Sequence, residues 1–461
     1  MPDGWRLEPT LGWSQGEHRV DLAAVTRWRW ENWRAFTDDA SNMIGGRTRL
    51  ALRYAWADRI ALLAEGQQAF VGGLTSDSSG AAATYRANTP GGDESSVNGF
   101  GLRQLWAEGR LGEASLRVGR QPIQAGTGIA YTEPAWSYVK LQRLAQRLVG
   151  TVGWSTVERS YDGLTGAVDA GGYRADLYAG QPTTGVYEVR HGYHPNWDIL
   201  FGGVELTAKR GTLVENSELS SFFIGYSDDR DPQDVSGLFG NIRVYTLGAS
   251  WLGIYPLGPG AVDTLFWAAG QVGRYPDQTP GGVRNLDQRA YALIGEAGYQ
   301  LALLPAKPWL RTGVNFASGD GDPDDGDHQT FFNLVPTNHP YYGFADQLAF
   351  QNLVDWFAQL RLFPLPKTTV DLFVHRFWLA EDADRRYAGS GAFSKQSLGF
   401  TSSASNGSRD VGTELDLVVG YAPSSHVSLQ TGFCYLWGGD VFATSASRDV
   451  RWAYAQVEFS Y

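Results

Sequence analysis

Residues 47–54, which read Arg47-Thr-Arg-Leu-Ala-Leu-Arg-Tyr54, carry the pattern that decides the fold. Thr48, Leu50 and Leu52 fall on one side of an extended chain, and the arginines fall on the other side. Because successive side chains of a β-strand point to opposite faces, this period of two predicts a strand with one apolar face and one charged face. A strand of this kind suits the wall between lipid and a polar interior.

The same alternation recurs along the whole chain. Segments 353–362, 413–421 and 427–437 each set apolar residues on one face against polar residues on the other. The periodicity predicts about eighteen strands, whose boundaries are accurate to a few residues. They are placed at approximately 22–34, 46–56, 59–72, 100–110, 114–121, 159–169, 173–181, 198–208, 218–227, 241–251, 262–273, 287–301, 309–318, 350–363, 368–379, 411–422, 426–438 and 449–461.

The composition favours membrane-spanning strands over membrane-spanning helices. The 461 residues contain no run of about 18 apolar residues, which a spanning helix needs. Aromatic residues nevertheless make up 13%, and the mean hydropathy is −0.28. A transmembrane barrel reconciles these values, because only alternate residues of each strand face lipid. The texture is uniform and shows no linker, so we expect residues 1–461 to form a single domain.

Cysteine content, charge and the amino terminus narrow the function classes. The single Cys434 is expected to exclude both an internal disulfide and any Cys-based zinc site. The net charge of −11 argues against nucleic acid as a partner. The start, Met1-Pro-Asp-Gly, has no secretory signal, so an outer-membrane location implies that a signal peptide was removed.

The connections between the predicted strands alternate in length. Even-numbered connections are short turns, such as those at 57–58, 171–172 and 423–425. Short periplasmic turns and long extracellular loops are typical of outer-membrane barrels. The predicted fold is therefore all-β, a transmembrane antiparallel barrel of about eighteen strands. The odd-numbered connections, predicted to be extracellular, are 35–45, 73–99, 122–158, 182–197, 228–240, 274–286, 319–349, 380–410 and 439–448.

The carboxyl terminus reads as a strand that closes the barrel. Alternate apolar residues run from Ala453 through Val457 and Phe459 to the terminal Tyr461. Globular chains more often end in a polar tail. We expect this last strand to pair with the first, with Tyr461 facing outward at the lipid interface.

One stretch departs from the period of two. Residues 138–148 place Val139, Leu141, Leu144 and Leu148 on one helical stripe, which predicts a short helix in the third outer loop. The helix either folds into the mouth of the pore or caps the loop, and we favour the cap.

Four segments, spread over most of the chain, resemble the alginate export family of outer-membrane barrels. The resemblance implies a barrel of about eighteen strands and passive passage of an anionic solute or polysaccharide. The segments are Leu116-Arg-Val-Gly-Arg-Gln121; Phe373-Val-His-Arg-Phe-Trp378; Gly412-Thr-Glu-Leu-Asp-Leu-Val-Val419; and the loop Ser318–Asp327 with the later Pro336-Thr-Asn-His339 and Tyr341-Tyr-Gly343.

The turn between the sixteenth and seventeenth strands departs from the family pattern. Polymer-exporting members have a long periplasmic turn at this place that can plug the pore. Here the connection is only Ala422-Pro-Ser-Ser-His426. This difference favours a more general channel over the transport of alginate itself.

Arginines dominate the face that alternation predicts to line the lumen. Arg supplies 33 of the 38 basic residues, and its planar, always charged group suits carboxylate binding. Anion selection is the favoured interpretation; a balanced interior and wrongly assigned faces are the alternatives. With arginines early and acids late in the chain, we expect a transverse field across the pore. The predicted lumen residues are Arg27, Arg29, Arg47, Arg49, Arg53, Arg117, Arg174, Arg311, Arg361, Asp355, His375, Glu414 and Asp416.

An acidic outer loop is the weak candidate for a metal site. Carboxylate oxygens suit Ca²⁺, but the EF-hand spacing fails, because the glycine is displaced to position 326 and Phe331 stands at the twelfth position. A solvated loop is the favoured interpretation, and His191 with His194 is read as a surface pair. The candidate Ca²⁺ ligands are Asp320, Asp322, Asp324, Asp325 and Asp327.

These features together predict a bacterial outer-membrane channel, without enzymatic activity, for small or polymeric anionic, sugar-like solutes. Apart from that Ca²⁺, no cofactor is expected, and the expected partners are the lipid bilayer, lipopolysaccharide and the solute. One alternative is a structural or assembly-partner barrel whose lumen is blocked by loops. A less favoured alternative is an outer-membrane hydrolase, although the motifs G-x-S-x-G and H-E-x-x-H are absent.

Overall fold

Eighteen antiparallel strands form the wall of the molecule in a computed structural model that describes residues 11–230, 241–279, 282–389, 391–392 and 398–461. In chain order they are β1 (His18–Ala35), β2 (Ser41–Trp56), β3 (Ile60–Gly72), β4 (Ser96–Leu111), β5 (Ala114–Gln121), β6 (Tyr161–Ala170), β7 (Tyr173–Pro182), β8 (Ile199–Ala208), β9 (Ser217–Asp228), β10 (Ile242–Leu257), β11 (Gly260–Thr279), β12 (Gly282–Gln300), β13 (Trp309–Ala317), β14 (Leu353–Leu362), β15 (Thr368–Trp378), β16 (Asp410–Ser424), β17 (Val427–Gly438) and β18 (Val450–Ser460).

The wall closes on itself. Each strand pairs with the next, and β18 pairs with β1 in a register that sets Val25 opposite Ser460 and Ala35 opposite Val450. Ala24 and Tyr461 exchange two backbone hydrogen bonds of 2.8 Å at the periplasmic end of this seam. The ring confirms the predicted eighteen-stranded barrel and the closing role of the last strand.

The two faces of the wall differ as the alternation predicts. On β2, Leu50 and Leu52 are 57% and 52% exposed on the outside, while Arg47 and Arg49 are 5% and 1% exposed on the inside. Tyr461 is 58% exposed. Apolar side chains therefore face lipid, and charged side chains face the lumen.

One predicted outer loop is wrong. Residues 274–286 were expected to form a long connection, but β11 continues to Thr279 and β12 begins at Gly282, with Arg274 opposite Asp287. Polar residues replace the alternation in this stretch, because the hairpin there extends beyond the lipid and both faces tolerate them. The two strands thus remain paired through their backbones beyond the residues whose side chains alternate between apolar and polar.

Shorter elements decorate the wall. A strand at Leu11–Gln15 pairs with the start of β1, and Asp327–His328 runs parallel to β12. Helix α1 covers Gly80–Ala87, and Arg385–Tyr387 pairs with Ser402–Ala404. Two 3₁₀ turns lie at Pro90–Gly92 and Asp440–Phe442. No helix in the described part of the chain is long and apolar enough to cross a membrane.

Two outer loops fold into the bore, namely L3 (residues 122–160) and L7 (residues 318–352). In L3, helix α2 (Pro134–Tyr138) continues as a π-helical turn, Val139–Leu144. Lys140 and Arg143 of this turn ion-pair with Glu218 and Glu296 on the inner faces of β9 and β12. The favoured interpretation of the helix as a loop cap is therefore wrong, because its cations find their partners on the lumen wall.

Deleting residues 457–461 should prevent folding. The deletion removes the partners of the periplasmic end of β1 and leaves backbone groups unpaired in hydrocarbon, at a cost of several kcal/mol per group. Heat-modifiable gel mobility after refolding into detergent measures the outcome. Removal of residues 1–15 is the matched control and should fold, because Leu11–Gln15 is exposed and pairs with β1 alone among the barrel strands. Normal folding of the carboxyl-terminal deletion would contradict the closing role of β18.

Candidate functional site

The wall places every arginine that was predicted to line the lumen on its inner face. The four on β1 and β2 nearest the middle of those strands are at most 5% exposed. Arg53 and Arg117 keep side-chain exposures of 36% and 30%. These four arginines are therefore more buried than Arg53 and Arg117. The nine are Arg27, Arg29, Arg47, Arg49, Arg53, Arg117, Arg174, Arg311 and Arg361.

Glu158 of L3 is the centre of the first charge cluster. It ion-pairs with Arg47 at 2.8 Å, with Arg49 at 2.7 Å and with Arg103 at 2.6 Å. Arg103 also pairs with Glu65 of β3 at 2.6 Å. Burial by itself would raise the pKa of Glu158, but the three guanidiniums outweigh it and hold that pKa well below the ordinary value of 4.5.

Three members of this cluster, Glu65, Arg103 and Glu158, escaped the sequence reasoning. Glu158 lies in a loop, where a period of two has no meaning. Arg103 lies at a bulge, because the β3–β4 register shifts between Glu65 and Gly66 and leaves both Arg103 and Gln104 buried. A bulge changes which face a residue occupies, and nothing in the local sequence marked it.

The helical part of L3 builds a second cluster on the far wall. Arg143 and Arg147 pair with Glu296 of β12 at 2.9 and 3.0 Å. Arg311 of β13 bridges the same carboxylate, at 3.1 Å, to Asp263 of β11, at 2.8 Å. Helical spacing predicted a helix over 138–148, but the helical stretch ends at Leu144, so it carries Arg143 while Arg147 follows it. L3 is therefore tied to both sides of the bore by buried ion pairs.

The predicted lumen acids do not lie across the pore from the arginines. Asp355, Glu414 and Asp416 line β14 and β16, with His375 on β15 between them. Only β17 and β18 separate β16 from β1 around the ring. Closure makes the first and last strands neighbours, so Glu414 and Asp416 lie near the arginines of β1, and the expected transverse field stays a prediction.

L3 and L7 separate two of the cavities in the bore, and a further cavity of about 350 Å³ adjoins the inner one and shares Arg361 with it. The inner cavity, of about 410 Å³, is lined by Arg27, Arg47, Arg361, Trp154 and Tyr454 among others. The outer cavity, of about 600 Å³, is lined chiefly by 33–39, 77–84 and 345–347. They share no lining residue within the described ranges.

The partition between the cavities consists of contacts between the two loops. His339 of L7 stacks on Trp154 of L3, with ring centroids 4.2 Å apart. The same imidazole hydrogen-bonds Asp346, which lines the outer cavity, at 2.9 Å. The guanidinium carbon of Arg29 lies over the Trp154 ring, 3.9 Å from its centroid. A solute must pass these side chains or displace them.

Three aspartates of the acidic outer loop accept hydrogen bonds from the backbone of the same loop. Asp320, Asp322 and Asp325 each accept the backbone N–H of the residue two positions later, at 3.2, 3.3 and 2.7 Å. Arg284 donates to the backbone carbonyls of Pro323, Asp324 and Asp325. The Ca²⁺ site there stays a prediction. The rings of His191 and His194 have centroids 4.8 Å apart and are tilted by 47°.

These features define an outer-membrane β-barrel of the porin type, with a loop-constricted polar lumen. A family model described as alginate export matches residues 18–456. The chain therefore belongs to the alginate export family, as the sequence resemblance predicted, and it is a protein of the bacterial outer membrane. A search of curated proteins finds no match.

Solved outer-membrane barrels share the fold. Pseudomonas aeruginosa OccK9 (OpdG) is 11% identical, with a TM-score of 0.60, over 96% of this chain and 98% of its own. OccK2 (OpdF) from the same bacterium, solved with glucuronate, is 9% identical, with a TM-score of 0.57 and 96% of each chain covered. P. aeruginosa OpdK, solved with vanillate, is 10% identical, with a TM-score of 0.57 over 96% and 98%. Family and neighbours support a channel role.

Replacing Glu158 with Gln should loosen L3 from the wall. The change leaves Arg47, Arg49 and Arg103 buried without their shared carboxylate, which costs about 3–5 kcal/mol. Urea unfolding followed by tryptophan fluorescence should show a lower midpoint. Glu133→Gln, on an exposed part of the same loop, is the control and should leave the midpoint unchanged.

The wild-type network should also resist mild acid. A carboxylate whose folded pKa is lowered stabilises the fold above its unfolded pKa and loses that contribution only as the pH falls through the folded value. Because the pKa of Glu158 lies well below 4.5, its contribution should persist from neutral pH to below pH 4.5. A wild-type midpoint that falls to the level of the Glu158→Gln variant by pH 5 would contradict this assignment.

Proposed function

We propose that the protein is a passive channel for small anionic solutes that carry a carboxylate, including acidic sugars, with the L3–L7 partition as its selective constriction. Arg27 is the observation that carries the proposal. It donates to the backbone carbonyls of Gly153, Trp154 and Ser155 at 2.8–3.1 Å and ion-pairs with no carboxylate among the described residues. Its charge faces the inner cavity together with Arg47 and Arg361.

The charge balance at the constriction supports the same proposal. Five guanidiniums, those of Arg27, Arg29, Arg47, Arg49 and Arg103, are clustered with four carboxylates. The four carboxylates belong to Glu31, Glu65, Glu158 and Glu458, which stands opposite Arg27 on β18. The cluster therefore carries one positive charge in excess, in a space where burial weakens screening. A mobile carboxylate that enters the inner cavity lowers this imbalance.

The solute size follows from the partition. L3 is held by buried ion pairs on both walls, so an open path for a polymer requires those pairs to break. A small solute needs only side-chain movement around Trp154 and His339. Two barrels of the same fold were solved with the carboxylates vanillate and glucuronate, which agrees with this size class.

Arg27→Gln should reduce anion selectivity. A charge about 8 Å from a passing anion is worth between about 0.5 and 2 kcal/mol at effective dielectric constants of 80 and 20, which is roughly two- to thirtyfold in permeability ratio. The reversal potential of a planar bilayer under a KCl gradient measures the ratio. The effect should shrink at 1 M salt, where screening acts over about 3 Å.

Arg289→Gln provides the control, because Arg289 is 63% exposed and lies away from both cavities. Equal reversal potentials for wild type and Arg27→Gln at low salt would refute the anion proposal.

A blocked lumen is the second candidate function, favoured by the separation of the two cavities. In that case the barrel serves as a structural or assembly partner. Purified protein that inserts into bilayers without measurable conductance would support this candidate and exclude the channel.

Liposome swelling separates carboxylate recognition from simple sieving. Glucuronate and glucose have the same ring and differ by one carboxylate, so their relative rates report the charge term. We expect the wild-type barrel to admit glucuronate faster than glucose and the Arg27→Gln variant to lose most of that preference. Equal wild-type rates for glucuronate and glucose would show that the lumen selects solutes by size and does not recognise the carboxylate.

A further inference from the structure

Four metal-binding side chains converge on the inner wall, away from the arginine constriction. His375 lies on β15, Glu414 and Asp416 lie on β16, and Cys434 lies on β17. The register sets His375 directly opposite Glu414 and Cys434 directly opposite Asp416. Directly opposed residues have Cβ atoms about 4.5–5.5 Å apart, so the four side chains leave the wall from one small patch.

The ligand atoms of these residues are close together. One carboxylate oxygen of Glu414, one of Asp416 and the Cys434 Sγ all lie within 4.8 Å of one another. The Nε2 atom of His375 is 3.9 Å from Asp416 Oδ2. Among the described residues, Glu414, Asp416 and Cys434 form the only such group of three potential ligands.

The patch is buried, and its carboxylates are not neutralised by a described Lys or Arg side chain. The four residues are at most 2% exposed. Within the ranges that the structure describes, no Lys or Arg ion-pairs with Glu414 or Asp416, and His375 is the only basic side chain paired with either. Two buried carboxylates without a cation are costly, so the patch must hold either a shared proton or a bound cation.

Asp416 points to the bound cation. It is fully buried, and neither of its carboxylate oxygens accepts a hydrogen bond from the protein. The backbone of Phe344 and the carboxyl of Glu414, which could share a proton with Asp416, lie beside it. Glu414 is already engaged, since it accepts the backbone N–H of Ala345 at 2.9 Å. Buried polar atoms without a partner call for an explanation, and a metal ion supplies one.

The surroundings of His375 match those of a metal ligand. Its Nδ1 hydrogen-bonds Asp355 Oδ1 at 2.9 Å, and Asp355 is fully buried. With the ring proton on that bond, Nε2 presents a lone pair toward Asp416. Histidines that bind zinc commonly have this second hydrogen bond to a carboxylate, which fixes the tautomer and the ring orientation.

We propose that this patch binds Zn²⁺ through Cys434 Sγ, His375 Nε2 and one carboxylate oxygen each from Asp416 and Glu414. The single cysteine was expected to exclude a zinc site, but one thiolate joined by an imidazole and carboxylates suits zinc, whereas Ca²⁺ and Mg²⁺ require oxygen ligands. Zinc ligands at about 2.0–2.3 Å are separated by about 3.3–3.8 Å in a tetrahedron. Glu414, Asp416 and Cys434 therefore need only small side-chain movements, whereas His375, which lies outside their group, has to move closer to them. Binding releases the thiol proton to solvent and leaves Cys434 as the thiolate.

The proposed site would also anchor L7. Glu414 holds the backbone of Ala345, and Gly343 lies so close that an added Cβ would be 2.6 Å from a Glu414 carboxylate oxygen. These residues adjoin Asp346, which contacts the partition residue His339. The ion would thus act as a structural centre beneath the constriction, independent of the solute that passes.

Metal loading of tag-free, full-length barrel tests the proposal. The chain is refolded from urea into detergent with Zn²⁺ or with chelator, then separated from free metal and analysed by elemental mass spectrometry. We expect about one zinc per chain. Refolding with Co²⁺ should give the near-ultraviolet charge-transfer band of a cobalt–thiolate bond, and Cys434→Ser should abolish that band.

Asp355→Asn tests the site without removing a ligand. Loss of a partner that orients a ligating histidine weakens metal binding by about 10- to 100-fold. Asp371→Asn is the matched control, because Asp371 lies on β15, the strand that also carries His375, and pairs with Arg361. It should bind zinc as wild type does, so a drop specific to Asp355→Asn supports the site even if Cys434→Ser fails to fold.

Three outcomes would overturn the proposal. They are wild-type protein that refolds without retaining zinc, cobalt-loaded protein without the thiolate band, and a Cys434→Ser variant that retains zinc at wild-type affinity. The first outcome would leave a proton shared by Glu414 and Asp416 as the explanation of the patch. None of them bears on conductance, so the channel proposal stands or falls separately.

Discussion

Backbone hydrogen bonding in hydrocarbon is the constraint on which the rest of this structure depends. Water does not compete for N–H and C=O groups inside a bilayer, so a spanning sheet must have no free edge. The pairing of β18 with β1, completed by Ala24 and Tyr461, satisfies that demand. Closure then divides every strand into a lipid face and a lumen face. The charged half of each strand consequently lies in a confined space, where its charges require compensation.

Charge compensation in the lumen explains why L3 and L7 fold inward. The inner faces of β1, β2 and β4 bring five arginines together, and the wall itself supplies Glu31, Glu65 and Glu458 nearby, fewer acids than arginines. L3 supplies Glu158 to this group and carries Arg143 and Arg147 to the acids of the far wall. Such buried pairs cost much to break singly. The loops therefore form the constriction because they compensate the buried charges of the wall.

Part of the lumen could be predicted from sequence and part could not. Arg27 and Arg47 were placed on the inner face because alternation has a fixed period and the strand direction does not matter. Arg103 was missed because a bulge moved it, and Glu158 because loops have no period. The acids Glu414 and Asp416 were placed on the correct face but on the wrong side of the pore. Facing direction is a local property, whereas position around the ring depends on closure.

The sequence by itself determined the class of fold, the number of strands, most of their boundaries and the face of most side chains, because a period of two and alternating connection lengths are local signals. Tertiary structure alone decided which charges meet. Glu158 joins three arginines from two strands, and Cys434 meets Asp416, with His375 beside it, only after the chain has closed and folded back. These meetings depend on register, bulges and loop paths, which arise from backbone pairing between distant segments, and a linear sequence does not display such pairing.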